Sequence, residues 1–173
     1  RSNLVCDLNG YVRITDFGVA KIYRKDNYRE TSGTPGYMAP EVLLSQNHSY
    51  TADFFAIGVM LYEFMLGERP YSGRNRKEIR EDIMKKQAYL KKDNLPSGWN
   101  IDSIDFINLL LMRKPIKRLG YINGIYDLKK HKFFKGFNWD LLDNKKMKSP
   151  FIPDSGGNFD KTFCEKDESL NVE

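Results

Sequence analysis

The sequence predicts a mainly α chain that opens with one small β-hairpin. Three stretches carry this expectation. Asn9-Gly10 lies between two short runs with apolar residues, the pattern of a tight hairpin turn. Residues 51–66 are apolar on nearly every face of a helix. Further on, Ile104, Ile107, Leu110 and Leu111 recur at helical spacing.

The hairpin comes first. With Asn9-Gly10 as a two-residue loop, paired positions sum to nineteen and Asn3 is expected opposite Asp16. Directly opposed side chains share one face, with Cβ atoms about 5 Å apart. A carboxamide and a carboxylate side by side are hard oxygen donors of the kind Mg²⁺ prefers, and Mg²⁺ takes one or two protein ligands beside phosphate and water. An ordinary hairpin with two polar residues at its mouth is the alternative.

Residues 19–38 follow, and their middle, Tyr23 to Ser32, is polar without clear periodicity, which suits a mobile surface loop. The apolar helix over 51–66 is expected to be buried within a lobe. Gly67 to Gly73 contains Pro70 and two glycines and reads as a loop. Asn75 and Glu78 have capping-box spacing and start a charged, solvent-facing helix ending near Lys86. Residues 87–99 form a loop that ends in Pro96-Ser97-Gly98-Trp99, and Asn100 can cap the next helix. Pro115 bars that helix from continuing. Beyond residue 135 the composition changes: Phe137 to Leu142 can form a short amphipathic turn, followed by an extended stretch with aromatic anchors.

The 173 residues suffice for one domain with a substantial core, and 40% hydrophobic with 29% charged residues fit a soluble globular chain. No apolar run approaches the roughly 20 residues of a membrane span. No secretory signal opens the chain, and Arg1 is not expected to be a natural start. Cys6 and Cys164, far apart, point to reduced thiols in an intracellular (cytoplasmic or nuclear) protein. The net charge of +5 is dispersed and no basic-aromatic motif accompanies it, so no nucleic-acid partner is expected. His48 and His131 read as structural or exposed.

Asp16-Phe17-Gly18 is followed downstream by Gly33-Thr34-Pro35-Gly36-Tyr37-Met38-Ala39-Pro40-Glu41. With Asn3 ahead of them, these residues resemble the eukaryotic protein kinases, whose pattern is a catalytic-loop Asn, D-F-G, an activation loop and A-P-E in that order. Thr34-Pro35 resembles the peptide-docking loop of Ser/Thr kinases. Ser149-Pro150-Phe151-Ile152-Pro153 and Asn158-Phe159-Asp160 resemble the C-terminal tail of the AGC group, the group of cAMP-dependent protein kinase. The resemblance implies the C-terminal lobe of the kinase fold, an α+β architecture, over residues 1–134, with an AGC-type tail over 135–173 and the N-lobe absent. The family's catalytic Asp, phosphate-clamping Lys and Gly-rich loop would all fall before residue 1.

Site roles follow from the resemblance. ATP and Mg²⁺ are the implied cofactors, with Asp16 and Asn3 holding metal. Val5 would lie beneath the adenine ring and Phe159 would reach the nucleotide pocket. Phe17 is expected to pack, and Gly18 to permit the turn of the loop. Thr34 and Pro35 would dock the substrate, a protein with a Ser or Thr acceptor. Thr31 and Ser32 are candidate phosphate acceptors, which makes an upstream activating kinase a candidate partner. Glu30 stands where many AGC kinases carry the phosphorylated Thr. Glu41 and Arg118 would form a buried latch, and Asp53 would hold the catalytic-loop backbone. Phe55 stands where the family usually has Trp, and Lys132 replaces Pro in an H-P-F-F-like end.

Two functions follow. The chain is the C-lobe piece of an ATP-dependent protein serine/threonine kinase, inactive alone because its base and clamping Lys are not among these residues. Alternatively it is a pseudokinase-like or truncated module that docks peptides or partner kinases. The coding sequence ahead of Arg1 separates the two.

Overall fold

The structure is a computed structural model, and it describes residues 3–154. It divides into two compact units, one built from the hairpin together with residues from Asn138 onward, the other from Val19–Phe137.

In the first unit, β1 (Leu4–Cys6) and β2 (Val12–Ile14) pair antiparallel, Leu4 with Ile14, Val5 with Arg13 and Cys6 with Val12. Paired positions therefore sum to eighteen, not nineteen. The loop holds three residues: Asp7 N–H donates to the Tyr11 carbonyl (2.9 Å), and Gly10 N–H donates to the Asp7 carbonyl (2.8 Å). Gly10 has φ 80°, the left-handed residue that closes a three-residue turn. Asp7 selects this turn, because its Oδ1 accepts from both Asn9 N–H (3.0 Å) and Tyr11 N–H (2.9 Å). Arg13 donates twice to Asp7 Oδ2, at 3.1 and 2.8 Å, and these bonds lead the causes that lower the Asp7 carboxyl.

A short helix from Trp139 to Asp143 belongs to the same unit, capped by Asn138, whose Oδ1 accepts from Leu141 N–H (3.0 Å). Tyr11 donates its phenol to the Met147 carbonyl (2.6 Å), and the Ser149 hydroxyl lies 3.2 Å from the Gly10 carbonyl. Phe17 is 69% exposed, which corrects the expectation that it packs. Val5, Val12 and Ile14 are exposed as well. Two strands alone enclose no interior.

The second unit is helical: α1 (Pro40–Leu43), α2 (Thr51–Leu66), α3 (Arg76–Lys85), α4 (Ile101–Leu110) and α5 (Ile125–Lys130), with single 3₁₀ turns at Pro35–Tyr37, Lys92–Asn94, Pro115–Lys117 and Lys132–Phe134. Its core lies between α2 and α4, where Phe55, Val59, Ile107 and Leu111 are fully buried. Gly58 lets the two helices approach, since a Cβ there would stand 2.9 Å from Leu110 Cβ. A second cluster joins Phe106, Leu110 and Leu128 to Phe133 and Phe134. The helix over 51–66 is not buried all round: Asp53 and Phe64 are exposed. One layer of neighbours covers one flank of a helix, whatever the composition of the other.

The helix starts follow local chemistry. Asn75 Oδ1 accepts from Glu78 N–H (3.0 Å), while Glu78 reaches back to Arg74 N–H (2.8 Å). Asn100 Oδ1 accepts from Asp102 N–H (3.0 Å). Arg113 donates to the Ile83 and Met84 carbonyls, both at 3.0 Å, at the end of α3. His131 is structural, with its ring against Phe106 and its Nδ1 accepting from Phe133 N–H.

Candidate functional site

The hairpin mouth differs from the sequence expectation by one residue. Thr15, not Asp16, faces Asn3, with Thr15 N–H donating to the Asn3 carbonyl (2.9 Å). A one-residue shift in a strand exchanges the faces of its side chains. Asp16, however, lies past the end of β2 and has φ 59°, so strand alternation no longer governs it. Its Oδ1 accepts from Gly18 N–H (3.1 Å), a local bond that suits an Asp in left-handed backbone. The residue is exposed, and Oδ2 joins no hydrogen bond among the described residues. No cluster of three or more His, Cys, Asp or Glu able to hold a metal occurs among the described residues. By residue type, the Asp16 carboxylate and the Asn3 carboxamide each carry the hard oxygen that Mg²⁺ takes beside phosphate and water.

The segment after Gly18 belongs to the second unit. It is mostly exposed, but it is held at one buried point. Asn27 donates to the His48 carbonyl (2.7 Å) and accepts from His48 N–H (2.9 Å). Arg76 donates to the Thr31 carbonyl (3.2 Å). Thr31 is half-buried and Ser32 is exposed.

Thr34 is exposed at the head of the Pro35–Tyr37 turn, and Tyr37 N–H donates back to its carbonyl (3.0 Å). Tyr37 donates its phenol to Glu63 Oε2 (2.6 Å), tying the Pro35–Tyr37 turn to α2. The Arg69 guanidinium stands 5.8 Å from the centre of the Tyr37 ring and closes over Gly36, where a Cβ would overlap it. Beside them lies a cleft of about 550 Å³, lined by Tyr62, Glu63, Glu68, Arg69 and Lys86 among others. Sequence reasoning missed Tyr37, Glu63 and Arg69. The available signal was Glu63 itself, an acid within the apolar stretch of α2 that needs a donor.

Glu41 and Arg118 meet as a bidentate pair, Nη1 to Oε1 at 2.7 Å and Nη2 to Oε2 at 2.9 Å, both residues 2% exposed. Arg118 also donates to the carbonyls of Thr51 (2.8 Å), Met112 (3.0 Å) and Arg113 (3.4 Å). Its guanidinium lies 5.1 Å from the Phe55 ring centre. The unit thus accommodates Phe55 through ring stacking on Tyr71 and this cation–π contact, neither of which needs an indole N–H. The Asp53 carboxylate accepts no hydrogen bond among the described residues. Partial burial pushes its carboxyl up, and the charge of His48 pulls it partly back. Water still reaches the residue, so the push is a direction and not a large energy. Phe159 and Cys164 lie outside the described residues.

The family description "Protein kinase domain" matches residues 1–134. The chain is 35% identical over 166 residues to cGMP-dependent protein kinase 2 of Mus musculus, covering 95% of this chain and 21% of that protein. It is 36% identical over 171 residues to serine/threonine-protein kinase Sgk1 of Xenopus tropicalis, covering 95% and 40%. It is 33% identical over 176 residues to protein kinase C delta type of Rattus norvegicus, covering 98% and 25%. The chain therefore spans about a fifth to two fifths of the length of these relatives. No helix among the described residues is long and apolar enough to cross a membrane. With the family matched over most of its length and these relatives at such identity over nearly all of it, the chain belongs to the protein kinase family, among serine/threonine kinases that include AGC members.

Proposed function

We infer that this chain is the C-lobe portion, residues 1–134, and AGC-type tail, residues 135–173, of an enzyme that transfers phosphoryl groups from ATP to Ser or Thr of proteins. The observation that carries the reading is the state of Asp16. Its left-handed backbone lies at the end of the hairpin, one carboxylate oxygen is steadied by Gly18 N–H and the other is open to solvent. Mg²⁺, when bound, would supply charge neutralisation for phosphoryl transfer. Asp16 and Asn3 would hold that ion, and Val5, 45% exposed on β1, offers an apolar face for a base.

Thr34 and Pro35 would hold the acceptor peptide, with Tyr37–Glu63 keeping their loop against α2. Glu41–Arg118 would latch the end of the activation segment to the core, and Asp53 would accept N–H groups of the catalytic loop. Phosphate on Thr31 or Ser32, placed by an upstream kinase, would find Arg76 at hand. The 173-residue polypeptide by itself transfers no phosphoryl group, because no base precedes Asn3 within it and no clamping Lys is included.

The test compares two proteins. A longer protein that carries this chain behind its upstream coding sequence is assayed for metal-dependent transfer from ATP to Ser/Thr peptides, with and without Asp16→Asn. Activity that survives Asp16→Asn undiminished, or activity of the 173 residues alone, overturns the reading.

A further inference from the structure

The docking loop of the second unit carries a positive charge that the proposed activity does not use. Arg69 sits on the backbone of Gly36, inside the Thr34-Pro35-Gly36-Tyr37 run, and Gly36 is the residue whose missing Cβ makes room for it. Arg69 is half-buried, its guanidinium is held near Tyr37, and it joins no ion pair among the described residues. The other charges lining the cleft are differently placed. Glu63 Oε2 accepts from Tyr37. Lys86 is paired with Asp82 at 3.2 Å. Glu68 lies near enough to Tyr62 to help raise that phenol, behind its partial burial.

A peptide lying along Thr34-Pro35-Gly36 thus meets an unpaired guanidinium at the loop itself. A guanidinium offers a planar fork of N–H donors that matches a carboxylate or phosphate in two parallel bonds. Because Arg69 is already held near the Tyr37 ring, less side-chain freedom remains to be lost on binding.

We propose that Arg69 is a specificity-determining residue that selects substrates with an anionic side chain, carboxylate or phosphate, next to the Ser or Thr acceptor. This rests on the reading of Thr34-Pro35 as a docking loop. It concerns binding, so it can be examined without phosphoryl transfer.

Fluorescent peptides with a central Ser are titrated against the full 173-residue chain, with Ala, Asp, phosphoserine or Arg placed at each flanking position in turn. At one position Asp or phosphoserine is expected to bind about tenfold tighter than Ala, the size of one charge-assisted hydrogen-bond pair. Arg at that position is expected to bind more weakly than Ala. The tighter of the Asp and phosphoserine arms identifies the anion. Arg69→Glu should invert the order, and Arg69→Lys should keep the sign while losing part of the preference, as the fork is replaced by a point charge. A check of the folded signal by circular dichroism accompanies each variant. Equal affinities, a preference for Arg, or an order unchanged by Arg69→Glu overturns the proposal while leaving the kinase reading intact. If no peptide binds at all, the proposal falls together with the docking-loop reading.

Discussion

All five N–H groups of Arg118 meet an acceptor, and two of them meet the two carboxylate oxygens of Glu41, 77 positions earlier in the chain. The remaining three close on the Thr51, Met112 and Arg113 carbonyls, at the start of α2 and beyond the end of α4. One side chain therefore links α1, the first turn of α2 and the chain after α4.

Removing one member of this pair leaves the other charge buried without a partner. Glu41→Ala is expected to cost about 3–5 kcal/mol. Replacing both residues by apolar ones of similar volume should cost less than either single change. Urea unfolding of the three variants measures this, and a double variant weaker than the single ones would contradict it.

Asp53 gives a pH dependence of known sign. Its folded-state carboxyl is raised, so the folded chain favours the protonated form. The group's contribution is fully present below the ordinary carboxylate range and is lost as pH rises through the raised value. Asp53→Asn should therefore raise the melting temperature at pH 7, with the gain vanishing near pH about 3. Melting curves at the two pH values decide the matter.

Gly10 cannot take a side chain cheaply. Its φ is 80°, and a Cβ would overlap the Phe151 carbonyl oxygen. Gly10→Ala should cost about 2 kcal/mol or more from left-handed strain and crowding. Hydrogen exchange should quicken at the Phe151 amide, which donates to Ser149 Oγ at 3.2 Å.

Gly58→Ala opposes two effects of known size. Alanine gains about 1 kcal/mol of helix propensity over glycine. Crowding against Leu110 and Leu111, where the new Cβ would stand 2.9 and 3.2 Å away, costs about 1–3 kcal/mol. A net loss of about 1 kcal/mol is expected in denaturant titration, and a gain would show that α2 and α4 move apart freely.

Asp16→Asn tests the site without touching the core. In a longer protein that carries this chain and shows the proposed activity, it should lower metal-dependent phosphoryl transfer by about a hundredfold or more, since a bound metal contributes several kcal/mol of charge stabilisation. Stability of the 173-residue chain should stay within about 0.5 kcal/mol of the parent, as expected for an exposed residue.

Local chemistry was legible in the residues alone. Asn75 and Asn100 start their helices, α4 and the residue after it bury Ile104, Ile107, Leu110 and Leu111, and the ordered motifs name the family, because capping, periodicity and motif spacing act within a few residues. The hairpin was legible in kind but not in register. Asn9-Gly10 suggests two loop residues, whereas the Asp7 side chain supplies acceptors that favour three. The remainder was decided by contacts between distant segments. The flank of α2 that is buried and the closure of Arg69 over Gly36 depend on where packed helices bring remote residues together, and the joining of Glu41 to Arg118 was expected only through the family resemblance. A residue's own neighbours in the chain carry no record of a partner that folding alone brings within 3 Å.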